Sequence, residues 1–253
     1  MSAIRYELTR ARSLRATWWG LLGLLALGAG ATWVAARQAG AVPIGSGEVA
    51  HLVTAGPGRT PVLVPAIMLM TALACAREQR RDALPTLLLA LPRRGRVFLA
   101  KVVGTALAAV VLAALAVGAS VGTARAVFGP AFPDRAAIEA PAPRILAGFV
   151  AYVLLAAVLG LAIGTLSRGT ALIAVAAAAL PAGAERLIAA AIEAGVPEAY
   201  RDLVRYLPFR AADRMLVVSD GGGLSPVTGG AVLAGVTLVV TVLALITFVR
   251  RRA

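Results

Sequence analysis

The sequence predicts an all-α polytopic membrane protein, and three observations lead to that fold class. First, 60% of the 253 residues are hydrophobic and the mean hydropathy is +0.85, which is more apolar surface than a soluble domain of this size needs. Second, several apolar runs reach or approach the roughly 20 residues that a helix needs to cross about 30 Å of hydrocarbon. Third, cations gather beside the ends of these runs, as they do in segments that set membrane topology.

The apolar runs predict six transmembrane helices within a single transmembrane domain that covers residues 1–253. The predicted spans lie at about residues 17–36, 60–76, 97–121, 145–166, 170–182 and 230–249. Trp18, Trp19 and Trp33 lie near the two ends of the first span, as in an aromatic belt at the membrane surface. The Gly- and Pro-bearing stretch that follows this span is expected to be a loop, and the fifth span is the shortest.

Two further segments are predicted to be amphipathic helices. Residues 2–16 place Ile4, Leu8 and Ala11 on one helical face, which resembles a cationic helix lying in the membrane surface. Arg5, Arg10 and Arg12 lie on other faces, and Arg15 returns to the apolar face at the end of the segment, where its stem could snorkel. The alternative is a plain charged tail. The connection from Ala184 to Gly229 is long, and it includes a second helical candidate around Glu198–Tyr206. Its first part has helically spaced apolar residues opposite charged ones; the apolar residues are Leu187, Ile188, Ala191 and Ile192, and the charged ones are Glu185, Arg186 and Glu193.

Charge predicts how these spans are oriented. Six spans place both termini on one side, and that side holds 15 of the 25 cations but only three of the 12 acids. Because cations beside span ends favour the cytoplasm, we expect both termini there. The net charge of +13 would suggest a nucleic-acid partner in a soluble protein. In this chain the cations are explained by membrane topology, so no nucleic acid is expected.

The stretch from Arg77 to Lys101 cannot enter lipid, because seven cations crowd its two ends. These cations are Arg77, Arg80, Arg81, Arg93, Arg94, Arg96 and Lys101. Between them, Asp82 can cap the N-terminus of a helix whose first turn tolerates Pro85. A leucine stripe then follows at helical spacing, and Pro92 with Gly95 ends it; the stripe is Leu84, Leu87, Leu88 and Leu91. We therefore predict a short amphipathic helix between the second and third spans.

The sequence lacks residues that several classes of function require. The chain contains no GxxxxGK[ST] phosphate loop, and no predicted span carries an acid or a base near its middle. Cys75 is the only cysteine and His51 the only histidine, so neither a disulfide nor a His-rich metal site is expected. We expect no cofactor in this chain. A polytopic enzyme working at the outer surface is a low-priority alternative; it would have to use Glu185, Glu193, Glu198, Asp202 or Asp213.

The layout resembles the permease subunit of a bacterial type-2 ATP-binding-cassette exporter. That family combines an N-terminal interfacial helix, six spans, a cytoplasmic helix between spans two and three, and an amphipathic outer segment between spans five and six. The most specific local match follows the family's order of acidic, basic, leucine-rich, Pro and Lys positions; the matching residues are Glu78, Arg80, Leu87, Leu88, Pro92 and Lys101. Ala83-Leu84 stands where the family has Gly-Thr, and Gly95 stands where it has Arg.

The resemblance implies that two permease copies form a pathway and that separate ATPase subunits, which hold ATP and Mg²⁺, dock beneath them. The second copy would be identical or different, and membrane lipid would surround both. The short helix would then be a coupling helix that binds the ATPase. Its implied contact residues are Glu78, Arg80, Arg81, Asp82, Leu84, Leu87, Leu88, Leu91, Arg93 and Arg94. The alternatives are that the leucine stripe lies in the membrane interface or packs on the protein's own spans.

The implied location is the bacterial plasma membrane, and the scarcity of Lys relative to Arg, with abundant Ala, is typical of a GC-rich bacterial genome. An apolar pathway favours an amphipathic or lipid-like substrate. A non-transporting membrane scaffold or assembly factor is the main alternative function, because the spans lack polar groups.

Overall fold

A computed structural model of the chain describes residues 15–39, 46–55, 61–80, 94–132, 139–167, 170–195, 202–217 and 224–250. Every regular element in these ranges is helical and none is a β-strand, which confirms the all-α fold class. Residues 2–16, predicted as an interfacial helix, fall almost wholly outside the described ranges. The predicted coupling helix between residues 81 and 93 also lies outside them.

We number the α-helices in chain order. They are α1 (Arg15–Ala39), α2 (Ser46–Ala55), α3 (Leu63–Arg80), α4 (Arg94–Phe128), α5 (Ala142–Leu166), α6 (Ala171–Ala179), α7 (Glu185–Gly195), α8 (Pro208–Ala212) and α9 (Pro226–Arg250). Short 3-10 helices occupy Gly129–Ala131, Asp202–Tyr206 and Asp213–Leu216, and a π-helical turn occupies Leu180–Ala184.

Five segments of the described chain are long and apolar enough to cross a membrane. They are Trp19–Gln38, Gly95–Phe128, Ala142–Leu166, Ala171–Gly195 and Pro226–Arg250. The chain therefore has the character of a multi-pass membrane protein. The predicted second span corresponds to α3, which is not among the five. The reason is that α3 has only 18 residues and its last turn contains Arg77, Glu78 and Arg80.

Two boundaries differ from the sequence prediction because packing extends or creates helices. The third predicted span, residues 97–121, is part of the 35-residue helix α4, which at 1.5 Å per residue is about 50 Å long and so exceeds the hydrocarbon thickness. The stretch after the first span was predicted to be a loop, and that was wrong for Ser46–Ala55. This segment forms α2 because Ala50 and Val53, one turn apart, are buried against neighbouring helices.

The fifth predicted span, residues 170–182, covers α6 and the first residues of the π-helical turn, and it ends next to a kink. Helix α6 ends at Ala179, and the chain then turns through Gly183, whose φ of +141° strains any residue that carries a Cβ. Helix α7 begins two residues later. Helix α7 lies where the sequence places helically spaced apolar residues at the start of the connection from Ala184. The break between α6 and α7 falls at Gly183, directly after the predicted end of the fifth span.

Helix α5 forms the centre of the bundle. Its residues Ile145, Phe149, Tyr152 and Val153 are fully buried, and they belong to a cluster that also includes buried residues of α1, α3, α4 and α9. Small residues favour this central position, because Gly148, Gly160 and Gly164 let neighbouring chain approach α5 closely.

Two smaller apolar clusters define the ends of the bundle. Phe98, Ala162, Ala244 and Phe248 form one, which we call the Phe98 end, and the rings of Phe98 and Phe248 are 5.7 Å apart between centroids. The other, which we call the Phe132 end, consists of buried residues from α1, α2, α4 and the turn after it; they are Ala35, Ala36, Val53, Ala124 and Phe132. The start of α4 therefore lies at the Phe98 end beside the last turns of α5 and α9.

Helix α3 lies deep in this bundle although, at 18 residues, it is shorter than α1, α4, α5 and α9. Its residues Val64, Met68 and Ala72 are fully buried. Gly20 of α1 approaches Met70, and Gly28 approaches Leu63, so α1 and α3 are antiparallel. Neighbouring protein therefore covers α3.

Candidate functional site

The ends of α3 and α4 form the base of the predicted coupling segment. Helix α3 ends at Arg80 and α4 begins at Arg94, and both ends lie at the Phe98 end of the bundle. Close to these ends, the Nζ of Lys101 donates a hydrogen bond to the Oε2 of Glu78, which makes an ion pair between the two helices. The Glu78 side chain is 26% exposed and that of Lys101 only 10%, so water screens this pair incompletely.

Other residues beside this pair divide into exposed cations and buried apolar anchors. The side chains of Arg77 and Arg96 are exposed. Val97 and Phe98 are buried in the first turn of α4 and fix that end of the helix to the bundle. The surface at the base of the segment is therefore cationic, whereas the charge of Lys101 is directed into the protein.

The predicted contact residues are only partly described. Glu78 has a described side chain, and it pairs with Lys101. Arg80 and Arg94 are the terminal residues of their helices. The remaining predicted contacts lie outside the described residues; they are Arg81, Asp82, Leu84, Leu87, Leu88, Leu91 and Arg93.

Two glycines of α5 allow α3 to approach its backbone closely. A Cβ at Gly160 would lie 2.5 Å from the carbonyl oxygen of Met68, and one at Gly164 would lie 2.5 Å from that of Ala72. The order of these contacts makes α3 and α5 parallel. The sequence showed this small-xxx-small spacing but offered no way to choose it among many similar ones, and its partner helix is visible only in the fold.

A hydrogen bond between side chains lies next to this contact. The Sγ of Cys75 and the Oγ1 of Thr165 are 3.3 Å apart, and both side chains are buried. Thr165 also donates to the carbonyl oxygen of Leu161. Cys75 is thus a packing residue of the α3–α5 contact.

A second polar group lies in the connection that follows α6, where the carboxylate of Glu185 caps the N-terminus of α8. Its Oε2 accepts the backbone N–H of Phe209 at 3.1 Å, and its Oε1 accepts that of Arg210 at 2.7 Å. Neither N–H group has an acceptor within α8, because the first N–H groups of a helix have no carbonyl one turn before them in the helix. Glu185 is 5% exposed, so this carboxylate ties α7 to α8 out of contact with most water.

Two further carboxylates strengthen the same connection. The Arg210 Nη1 donates to the Oε1 of Glu193 at 2.8 Å, and the two side chains are about half exposed. The hydroxyl of Tyr152 lies 3.2 Å from the Oδ1 of Asp213, and the Arg186 Nη2 lies 3.9 Å from its Oδ2. We call the group of Tyr152, Glu185, Glu193, Arg210 and Asp213 the outer polar cluster.

Residues 208–216 pack closely between α5 and α9. A Cβ at Gly148 would lie 2.8 Å from the carbonyl oxygen of Met215, and one at Gly229 would overlap the carbonyl oxygen of Ala211. The sequence analysis missed Tyr152, Gly148 and Gly229. The available signal for Tyr152 was a single tyrosine inside an apolar span, because a buried hydroxyl needs a hydrogen-bond partner.

The outer polar cluster brings together three acids that an outer-surface enzyme would need: Glu185, Glu193 and Asp213. Each of these carboxylates accepts a hydrogen bond from another residue of the protein. Asp202 begins a 3-10 helix, and Glu198 lies outside the described residues. Within the part of the chain that the structure describes, no group of three or more His, Cys, Asp or Glu side chains could hold a metal ion.

In comparisons with known proteins, the sequence matches no protein-family model and no curated protein. The resemblance to type-2 exporter permeases therefore stays a prediction from layout and local residue order.

Proposed function

We propose that this chain is the transmembrane permease subunit of an ATP-binding-cassette transporter that exports an amphipathic or lipid-like substrate with energy from a separate ATPase. Residues 81–93 would be the coupling segment that docks on that ATPase. The second permease copy would complete the pathway, and ATP and Mg²⁺ would bind to the partner subunit.

The observation that carries this proposal is the placement of the cationic segment. It connects two helices at the Phe98 end of the bundle, where exposed Arg77 and Arg96 accompany it. Its leucine stripe suits an apolar groove in a partner, and its flanking cations suit an acidic rim or anionic lipid. A chain without a phosphate loop needs such a place to receive force.

Six spans are part of the proposal, with α3 as the second. Its antiparallel course beside α1 and its parallel course beside α5 support this assignment, because spans two and four must run in the same direction. The apolar part of α3, residues 63–76, is only about 21 Å long at 1.5 Å per residue. Burial among longer helices would compensate for that shortness, because neighbouring protein rather than lipid would contact most of its surface.

The Phe98 end would be cytoplasmic in the bacterial plasma membrane. Cations beside span ends favour that side, and this end holds the start of α4 and the last turn of α9, with Arg250. Both termini would then be cytoplasmic. The outer polar cluster would lie in the half of the protein nearer the opposite surface.

The proposal predicts that a neighbouring gene encodes an ATPase with a phosphate loop. Co-expressing the chain with that ATPase, and measuring association in detergent and ATP hydrolysis, tests the proposal. Leu88→Glu places a charge in the predicted leucine stripe, so we expect it to weaken association by at least about tenfold, or 1.4 kcal/mol. Thr86→Glu is the matched control. It adds the same charge to the same segment, but helical spacing puts residue 86 opposite the stripe.

Two results would contradict the proposal. One is the absence of any association between the unaltered chain and the ATPase, which would favour the scaffold alternative. The other is equal binding by Leu88→Glu and the unaltered chain, which would show that the leucine stripe does not contact the ATPase.

A further inference from the structure

We propose that the Glu78–Lys101 ion pair is a clamp that positions the coupling segment, rather than a contact to the ATPase. This inference rests on the proposed function, because it assigns a role within the segment that docks. It changes the role of Glu78, which the family resemblance places among the contact residues.

The position of the pair in the two helices supports a clamp. Glu78 lies two residues before the end of α3, and Lys101 lies two turns after the start of α4. The pair therefore joins the two helices that the segment connects in sequence. Contact between these side chains limits how far the helix ends can separate.

Burial distinguishes Lys101 from its cationic neighbours. Lys101 is 10% exposed, while Arg77 and Arg96 are exposed at the surface. A Lys side chain with a buried ammonium group is stable only beside a compensating acid. The charge of Lys101 is thus satisfied within the protein, and exposed arginines are the cations placed to meet a partner or anionic lipid.

The clamp also has a rigid support. Ala72 and Cys75 of α3 pack on Gly164 of α5, one to two turns before Glu78. Phe98 of α4 packs on Phe248 of α9, one turn before Lys101. Both sides of the ion pair are therefore anchored to the bundle, so a displacement of the coupling segment would be transmitted to α3 and α4 together.

Charge reversal and charge exchange test the clamp. The variants are Glu78→Lys, Lys101→Glu and the double variant that carries both changes. Each single reversal puts two like charges side by side, and we expect it to weaken ATPase association by about tenfold. The double variant restores an opposite-charge pair, and we expect it to recover most of the lost affinity. Glu78→Lys combined with Arg77→Glu is the matched control for charge alone. It restores the net charge without restoring an acid at position 78 beside Lys101, so we expect it to recover none of the lost affinity.

A second measurement reports on the segment without the ATPase. In a Cys75→Ala background, Leu88→Cys is labelled with a membrane-impermeant maleimide in inside-out vesicles. We expect each single reversal to change the labelling rate several-fold and the double variant to return it to the starting value. A role in folding alone would lower the amount of chain in the membrane but leave the labelling rate of the folded chain unchanged.

The two ideas fail in different ways. If the unaltered chain binds no ATPase, the proposed function fails. If the unaltered chain binds the ATPase while the single reversals bind it equally well and keep the labelling rate, the clamp is wrong and the proposed function stands. The clamp is also wrong if the double variant is no better than the single reversals in both measurements. Glu78→Gln and Lys101→Met, which add no repulsion, replace any reversal that fails to reach the membrane.

Discussion

The two halves of the bundle secure their connecting segments in different ways. At the Phe98 end, the Glu78–Lys101 ion pair joins α3 to α4, and the exposed residues Arg77 and Arg96 lie near it. In the opposite half, three carboxylates, a tyrosine and two glycine contacts hold residues 208–216 between α5, α7 and α9. The first arrangement joins the two helices that flank the predicted coupling segment, whereas the second binds residues 208–216 to their own protein. The proposed function assigns the partner contact to the first.

The largest effect is expected where α5 supports the Phe98 half. Gly164→Leu would drive four carbon atoms into the backbone of Ala72, and we expect a loss of about 3 kcal/mol or more in the free energy of unfolding. Gly118→Leu is the control, since a Cβ there would meet no described atom within 4 Å. Thermal unfolding in detergent measures both. Equal loss in the two variants would contradict the close α3–α5 contact.

Glu185→Ala should be the next most damaging change, and it acts on the opposite half. It leaves the N–H groups of Phe209 and Arg210 buried without their acceptor, which costs about 2–3 kcal/mol. Glu193→Ala removes an acid from the same helix at an exposed position, so we expect less than about 1 kcal/mol. The comparison between the halves would weaken if thermal unfolding showed the two variants to be alike.

Tyr152→Phe isolates one hydroxyl of the outer polar cluster. The ring still fills its buried position, but the hydrogen bond to Asp213 is lost. The free energy of unfolding should therefore fall by about 1 kcal/mol. Tyr206→Phe, at a half-exposed ring, should change stability by less than about 0.5 kcal/mol. A Tyr152→Phe protein as stable as the original would show that the hydroxyl contributes nothing to the cluster.

The smallest effect is expected from the exposed ion pair of Arg210 and Glu193. Their side chains are 46% and 44% exposed, so a double-mutant cycle with alanine should give a coupling of about 0.2–1 kcal/mol. Added salt should reduce that value because exposed charges are screened. A coupling that is large and insensitive to salt would mean that the pair is more buried in the membrane protein than its exposure indicates.

Much of the helical framework follows from hydrophobic runs alone. Spans predicted at 145–166 and 230–249 match α5 and α9 within a few residues, because long apolar runs leave the backbone no alternative to a helix in lipid. Helix α2 was missed because its ten residues are only partly apolar and gain stability from contacts with distant helices. The predicted fifth span ends at residue 182, one residue before the kink, but the φ of +141° at Gly183 is a backbone property that hydrophobicity does not reveal.

The polar contacts were harder to predict than the helices. Glu185 lies 24 residues from the N–H of Phe209, and Tyr152 lies 61 residues from Asp213, so no local pattern connects them. The sequence suggested that Glu185 belongs to the exposed face of an amphipathic helix. In the structure Glu185 is buried while Leu187 is 74% exposed, because the carboxylate caps α8 and the leucine faces away from the protein.

The most direct test of the central claim compares one leucine from each half. A photo-activatable amino acid replaces Leu88 of the coupling segment or Leu187 of α7, and membranes that also contain the ATPase are illuminated. We predict a cross-link between residue 88 and the ATPase, and none between residue 187 and the ATPase. If residue 88 cross-links only to lipid or to its own chain while the ATPase copurifies, the segment is not the docking site.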